Sequence, residues 1–559
     1  MDIFEVLTPM AFALVALGVL IGIVFGSIPG LTATMAVAVF LPLTFSMDLA
    51  EGVALLLGLY VGGISGGMIP AALLKLPGTP SSVATTFDAY PMAQKGFAEK
   101  ALKIGIVASF AGGIISLIVL YFFAPALSSV AIEFSSVEKF LIIVFALTII
   151  ASISEKSIVV GLFSALLGVF FSLVGVFPTN NELRMTPSFL EDQLYNGFSL
   201  LPVLIGLFGI AEILRNSELG LRDAADKKLK LKKAKESEEA KFTLSVFKGQ
   251  TTNVVRSGAI GTFLGVLPGV GGSAASLMSY TQAKNFSKKP GKLGKGSPEG
   301  VVASEASNNG LTGGALVPLL SLGIPGDSTT AVLLGAFVLQ GIHVGPLFIT
   351  DNPDMWSSII YALIFANLVM LVLMFTSIRY FARIIEIPKY VLYPIILVMC
   401  VLGSYAINNG VMFDVWTAVI FGVLGFVFMK IGIQITTFLI GFILGGSLES
   451  NFLDSMQAHD GDLLIFFTRS PIDWVIWALI IGSVIFGILS NRRKKKADEA
   501  EAAAGEAPAD QDGADDSAAD RQEPAGSPAG SPEAADAAQA PDASGSSGSS
   551  GPTPPRRPD

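Results

Sequence analysis

Charge is scarce in this chain. Only 14% of its 559 residues are Asp, Glu, Lys or Arg, against about 25% in a soluble domain. With 52% hydrophobic residues and a mean hydropathy of +0.65, a soluble globular protein is excluded. Cysteine is nearly missing too: the single Cys400 rules out a disulfide framework and a Cys-based metal cluster. The two histidines, His343 and His459, lie far apart, so no metal site is expected. An intramembrane enzyme would need a nucleophile–base pair or metal ligands. No His, Cys or paired carboxylates stand where they would supply them, so the chain is expected not to be an enzyme. Gly269-Val270-Gly271-Gly272-Ser273 lacks the Gly-Lys-Ser/Thr ending and the preceding strand of a phosphate loop, which argues against ATP-driven transport by this chain alone. The first residues carry Asp2 and Glu5 but no basic group, so the first apolar run is expected to be a retained span.

What the chain does have is long uncharged apolar runs, at 104–123, 140–152, 158–177, 359–377 and 475–490. Each is close to the ~20 residues that cross ~30 Å of hydrocarbon. A β-barrel would show short alternating strands instead. The expected fold is an all-α polytopic membrane protein with about a dozen transmembrane helices.

Within it, Pro-Gly-x-x-Ser/Thr-Ser/Thr occurs twice, as Pro77-Gly78-Thr79-Pro80-Ser81-Ser82 and Pro325-Gly326-Asp327-Ser328-Thr329-Thr330. Superposing the two Pro-Gly pairs places Pro70 on Pro318 and Gly66 on Gly314. An earlier Pro-Gly repeats as well, Gly26-Ser27-Ile28-Pro29-Gly30 matching Gly265-Val266-Leu267-Pro268-Gly269. Gly/Pro-interrupted apolar segments at corresponding positions of two halves point to a transporter binding site.

Lys and Arg mark cytoplasmic loops. They cluster at 227–235 and 492–496, with smaller groups at 95–103, 284–295, 379–383 and Lys430. The acidic N-terminus then lies outside and the C-terminus in the cytoplasm of a multi-pass cell-membrane protein. The threading closes if 9–46 and 253–280 each enter and return to one side, and if the stretches after Gly78 and Gly326 dip without crossing. That makes an inverted-topology repeat with re-entrant hairpins. Its expected parts are a first repeat (1–214), a charged cytoplasmic linker (215–250), a second repeat with extra helices (251–490) and an acidic tail (491–559). The tail is rich in Ala, Pro, Gly and Ser and is expected to lack order; a docking tail is the alternative.

Non-helical backbone in a bilayer must be buried in protein or line a water-filled cavity. At the breaks, helix N-terminal N–H groups suit a carboxylate and carbonyl ends suit Na⁺. The hydroxyls of Thr79, Ser81, Ser82, Thr85, Thr86, Ser328, Thr329 and Thr330 can donate to carboxylate oxygens or coordinate a cation. Small residues at helix contacts are the bland alternative for one copy; two inverted copies favour a site. Asn308 and Asn309 offer both donors and acceptors, with an interhelical bond as the alternative. Glu305 reads as a helix cap or a member of the site. Lys75 is a counter-ion for an anion or snorkels to the interface; Asp327 caps the next helix or faces the coupling cation.

Four stretches, 26–32, 60–95, 265–272 and 296–346, resemble the TctA-type large membrane subunit of tripartite tricarboxylate transporters. The most specific are Leu73-Leu74-Lys75-Leu76-Pro77-Gly78-Thr79-Pro80-Ser81-Ser82-Val83-Ala84-Thr85, then Asp88-Ala89-Tyr90-Pro91-Met92, and Glu299-Gly300-Val301-Val302-Ala303-Ser304-Glu305-Ala306-Ser307-Asn308-Asn309. The similarity runs over nearly all of 1–490 and excludes the tail. It implies a Na⁺- or H⁺-driven secondary transporter without other cofactors. Its expected partners are an extracytoplasmic, TctC-like solute-binding protein that delivers a carboxylate and a small TctB-like membrane subunit; nucleic acid is not among them. It also implies an elevator-like motion. Carried over by position, the site comprises Pro77, Gly78, Thr79, Ser81, Ser82, Thr85, Asn308, Asn309, Pro325, Gly326, Asp327, Ser328, Thr329 and Thr330, with Lys75 beside them. Lys75, Ala89, Gly310 and Asp327 depart from the usual residues, which admits a dicarboxylate or an aromatic acid as readily as a tricarboxylate. A stand-alone carrier or exporter of organic anions, and a channel, are the competing functions.

Overall fold

A computed structural model describes residues 8–152, 157–223, 241–384, 387, 389–407 and 410–505. The chain divides into two units, Met1–Ala497 and Asp498–Asp559. The first repeat begins with α1 (Pro9–Ser27), α2 (Ala33–Phe40), α3 (Leu49–Gly66), α4 (Met68–Leu74) and α5 (Ala89–Gln94), followed by α6 (Ala98–Ala131). Next come α7 (Ser136–Ser152), α8 (Ile158–Ser172) and α9 (Ala211–Asp223), the last entered through Leu200–Leu204 and a π-helical turn, Ile205–Ile210. The second repeat comprises α10 (Thr251–Val266), α11 (Gly271–Phe286), α12 (Pro298–Leu322) and α13 (Ser328–Leu339), then α14 (Pro353–Ile384). Last are α15 (Lys389–Ile407), α16 (Met412–Ile431), α17 (Ile435–Ala458) and α18 (Pro471–Gly505). The strands found, Gly175–Val176 and Leu183–Arg184, form one small antiparallel pair.

Among the described residues, eight helices are long and apolar enough to cross a membrane, and four shorter apolar helices accompany them. Eight is fewer than the dozen expected to cross. Ala33–Ser46 and Ser328–Leu339, two of the shorter ones, are segments expected to turn back rather than cross. The last helix continues to Gly505, past the boundary expected at 491. Its Lys-, Glu- and Ala-rich end has high helix propensity, and extending a formed helix needs no new nucleus. Residues 506–559, where the rest of the tail falls, lie outside those described, as do 224–240 of the linker.

Local chemistry sets the interruptions. Thr8 accepts from the Ala11 N–H to start α1 and Thr32 from the Met35 N–H to start α2. Between them the chain turns at Pro29-Gly30, with Gly30 at φ +93°; the matching turn at Pro268-Gly269 has Gly269 at φ +77°. Both φ values are open to glycine at little cost.

Contacts along the helices give their directions. Residues 22 and 26 of α1 meet 59 and 63 of α3, so the two run parallel. Ala33 lies against Gly63 and Thr44 against Gly52, so 33–46 runs back antiparallel. In the second repeat, 261 and 265 of α10 meet 307 and 311 of α12, again parallel, while Tyr280 of α11 lies against Gly300. Each segment with a Pro-Gly turn is therefore a hairpin that enters and returns.

Glycines let the parallel pairs touch backbone to backbone. A Cβ on Gly26 would sit 2.2 Å from the Gly63 carbonyl oxygen, and one on Gly66 2.6 Å from that of Ile23. The counterparts Gly265 and Gly314 would meet the oxygens of Leu311 and Thr262 at 2.7 and 2.2 Å. Such small-residue seams drive helix association where lipid is as apolar as the side chains. The helices after each repeat exchange places: α6 packs on α10 and α12, α14 on α1 and α3. In α12 every residue from Gly300 to Ser321 is buried, including Ser304, Glu305, Ser307, Asn308, Asn309 and Thr312.

Substituting Val for Gly66 or Gly314 should each destabilise the protein by about 1–3 kcal/mol or more through overpacking. Thermal unfolding in detergent checks this, and the pair should behave alike because their seams are equivalent.

Candidate functional site

The two Pro-Gly breaks are built alike. A Cβ on Gly78 would lie 2.4 Å from the Gly26 oxygen and 2.8 Å from the Gly67 Cα; one on Gly326 would lie 2.7 Å from the Gly265 oxygen and 2.6 Å from the Ala315 Cα. These contacts are equivalent in the two repeats. After each break the chain is capped in the same way. The Thr79 N–H donates to Ser82 Oγ, which donates to the Thr79 carbonyl. The Asp327 N–H donates to Thr330 Oγ1, which donates to the Asp327 carbonyl, and Asp327 Oδ1 accepts from the Thr330 N–H at 2.7 Å.

Each break then bonds to the hairpin of the other repeat. Ser273 Oγ, at the start of α11, donates to the Pro80 carbonyl at 2.9 Å. At the start of α2, Thr34 Oγ1 lies 3.1 Å from Ser328 Oγ and 2.8 Å from Thr329 Oγ1. The hairpin tips are tied as well: the Gly269 N–H donates to the Gly326 carbonyl at 2.8 Å, and Asn216 of α9 donates to the Gly30 carbonyl at 2.8 Å.

Between the breaks α3 crosses α12. Ser65 Oγ donates to Asn309 Oδ1 at 2.7 Å, and Asn308 Nδ2 lies 3.5 Å from the Ile64 carbonyl. Tyr60 donates to Asp327 Oδ2 at 2.9 Å, whereas Thr85 donates to Glu305 Oε1 at 2.5 Å. Residue 60 thus sits beside the C-terminal half of α12, against which the second break folds back at Ala315, and the segment after the first break beside its N-terminal half. The crossing helices run in opposite senses, as an inverted repeat requires. Asn308 Oδ1, Asn309 Nδ2 and Ser307 Oγ are buried without a hydrogen-bond partner. Unpaired buried polar groups are rare and costly, so three on one helix set this stretch of α12 apart.

Most of the expected site residues share this surrounding. Gly78, Thr79, Ser81, Ser82, Thr85, Asn308, Asn309, Pro325, Gly326, Asp327, Thr329 and Thr330 are buried, and Ser328 is half-buried. Pro77 and Lys75 are exposed. Lys75 ends α4 in the left-handed conformation, φ 60°, with its side chain exposed. Asp327 caps α13 and holds Tyr60, which matches its capping alternative.

Two acidic groups matter more than the sequence indicated. Asp88, fully buried, accepts from the N–H groups of Gly294, Gly296 and Ser297 with one oxygen and from Tyr280 with the other. It clamps the segment after the first break onto the start of α12. Its place in the Asp88-Ala89-Tyr90-Pro91-Met92 stretch was the available signal. Glu305, fully buried, accepts from Thr85 and from Ser109 of α6, the latter at 2.9 Å, and so is not a cap.

Crossed broken helices between re-entrant hairpins define a polytopic helical membrane protein of the inverted-repeat transporter class. The chain belongs to the family described as "Tripartite tricarboxylate transporter TctA family", whose model matches residues 12–440. It is thus a membrane subunit of a tripartite tricarboxylate transporter. It is 35% identical over 490 residues to an "Uncharacterized 52.8 kDa protein in TAR-I ttuC' 3'region" from Agrobacterium vitis, covering 88% of this chain and 95% of that protein. It is also 38% identical over 236 residues to an "Uncharacterized protein in TAR-II ttuC' 3'region" from the same organism, covering 42% of this chain and 97% of that one. No solved structure matches.

Asp88→Asn should destabilise the protein by about 1.5–3 kcal/mol, since hydrogen bonds to a charged acceptor are lost. Lys75→Ala should stay within about 0.5 kcal/mol, as surface changes do. Thermal melts of the two purified variants check the contrast.

Proposed function

We propose that this chain is the large membrane subunit of a secondary transporter that takes up an organic carboxylate on a cation gradient. An extracytoplasmic binding protein of the TctC type delivers the solute, and a small membrane subunit of the TctB type completes the complex. The observation that carries the proposal is the equivalent pair of capped Pro-Gly breaks flanking the unpartnered Asn308 Oδ1 and Asn309 Nδ2. The solute carboxylate is held there by hydroxyls and amide N–H groups of Thr79, Ser81, Asn308, Asn309, Ser328 and Thr329, while Ser82, Thr85 and Thr330, whose hydroxyl hydrogens are already donated, shape the breaks with Pro77, Gly78, Pro325, Gly326 and Asp327. Oriented N–H and O–H donors favour an anion there. Lys75, at the surface, steers the anion rather than binding it.

Directions along the helices support an N-terminus outside and a C-terminus in the cytoplasm. Lys95, Arg379 and Lys295 all lie with the N-terminal end of α12: Lys95 reaches the Lys295 carbonyl, and Arg379 pairs with Glu99 near the start of α6. By the positive-inside rule that end is cytoplasmic. The start of α3, with Asp48 and Glu51, and the start of α14, with Asp354, face the other way. In an elevator-like cycle the two hairpins, α3 and α12 move together against the helices of 136–223 and 389–489. A stand-alone carrier of organic anions is the competing reading.

Uptake of labelled citrate and a panel of other carboxylates into proteoliposomes tests this. It should require an imposed ion gradient and the binding protein. It should fall about tenfold or more in Asn309→Ala or Ser81→Ala, since a hydrogen bond to a charged group is worth about 1.5–3 kcal/mol. Flux indifferent to the binding protein would instead establish the stand-alone carrier.

A further inference from the structure

We propose that Glu305 carries a proton within the crossing of the two repeats, and that this proton is the coupling ion. The inference rests on the reading of the chain as an ion-driven transporter and names the ion and its seat.

Glu305 is fully buried on α12, and no ion pair among the described residues includes it. An anion buried without a counter-charge is strongly disfavoured, and such a group takes up a proton instead. The surrounding hydroxyls form a chain that a neutral acid completes. Ser304 Oγ donates to the Val301 carbonyl at 3.2 Å. Thr85 Oγ1 lies 3.1 Å from Ser304 Oγ and 2.5 Å from Glu305 Oε1. A hydroxyl has one hydrogen to give. With Glu305 protonated on Oε1, the acid donates to Thr85, Thr85 to Ser304, and Ser304 to Val301, so every contact carries one hydrogen. The other oxygen, Oε2, accepts from Ser109 at 2.9 Å and faces Asn308 Nδ2 at 3.5 Å. An ionised Glu305 keeps the chain only if Ser304 turns away from Val301, and it leaves the charge unpaired.

None of the titratable groups on the elements packed around Glu305 is bonded to it among the described residues. Asp88 and Tyr280 bond each other, as do Tyr60 and Asp327. On α6, Lys103 pairs with Glu99. On α10, Arg256 donates to Asn253. Lys284 sits in the last turn of α11, and Lys75 ends α4 exposed.

The position gives the proton a mechanical consequence. Thr85 belongs to the segment that follows the first break, Ser109 to α6 and Glu305 to α12, so the neutral acid joins three elements. The carboxyl O–H bond breaks on release, the proton leaves to water, and the remaining anion must be hydrated or paired. Release therefore requires the Thr85 segment to part from α12. Asn308, with Oδ1 buried and unpartnered one turn along the helix, lies between this acid and the carboxylate held at the crossing.

Two readouts on the full chain test the assignment. Infrared spectra of the purified protein in lipid at neutral pH should show a protonated carboxyl band that Glu305→Gln lacks. Thr85→Val, which keeps the acid and removes one partner, should shift that band to higher frequency. Identical carboxyl bands in the wild type and Glu305→Gln would overturn the inference. If Glu305→Gln does not fold, an unmoved band in Thr85→Val would overturn it instead. In proteoliposomes with the binding protein and small subunit, a pH gradient at equal Na⁺ should drive accumulation, and Glu305→Gln should lose it. Accumulation that follows a Na⁺ gradient at clamped pH and persists in Glu305→Gln would overturn the coupling role. A wild type that moves no carboxylate yet shows the Glu305 band would sink the transport reading and keep the proton where it is placed.

Discussion

Backbone groups freed inside the membrane have no water to turn to, and this constraint shapes the whole arrangement. Pro-Gly interrupts the chain at 29–30, 77–78, 268–269 and 325–326, and each interruption exposes N–H and carbonyl groups. The protein supplies partners for them: a side chain three residues on for each cap, the facing hairpin for each break, the Gly326 carbonyl for the Gly269 N–H, and Asn216 from α9 for the Gly30 carbonyl. The hairpins must therefore lie beside the breaks of the opposite repeat. The glycine seams follow from the same demand, since only small residues let the backbones approach closely enough.

The same demand makes the centre polar. A helix of ordinary span composition placed there would bring nothing to bond. Instead α12 buries an unbroken row of residues in which serine, asparagine, threonine and glutamate alternate with glycine and alanine. Some of these polar atoms are used for structure, as in the Ser65–Asn309 and Thr85–Glu305 bonds. Others, on Asn308, Asn309 and Ser307, are left over. A site that holds a polar solute for part of a cycle needs such surplus groups, and a purely structural crossing does not.

Equivalence between the repeats is close but incomplete, and the differences carry chemical meaning. Thr79 and Asp327 occupy the same capping position, yet only Asp327 has a carboxylate to receive Tyr60. The segment after the second break is a regular helix, α13. The one after the first is two short 3-10 turns followed by α5, pinned by Asp88 and linked to Glu305 through Thr85. Short 3-10 turns have weaker hydrogen-bond geometry than an α-helix. The segment after the first break is thus held chiefly by side-chain bonds.

The sequence by itself determined the membrane class, the all-helical fold, the pairing of the two halves and the positions of the breaks. Those features are local: hydropathy along a run, and Pro and Gly acting on their own backbone. The tertiary structure alone decided which polar groups meet. The bonds that define the crossing join residues far apart in the chain, 244 positions for Ser65 and Asn309 and 220 for Thr85 and Glu305. They depend on how each helix is rotated about its axis, which the packing of glycine seams sets and no local pattern records. For that reason Lys75, adjacent to a break in sequence, lies at the surface, while Glu305, for which a cap was one of two readings, lies buried inside α12, and Asp88 lies buried against its start.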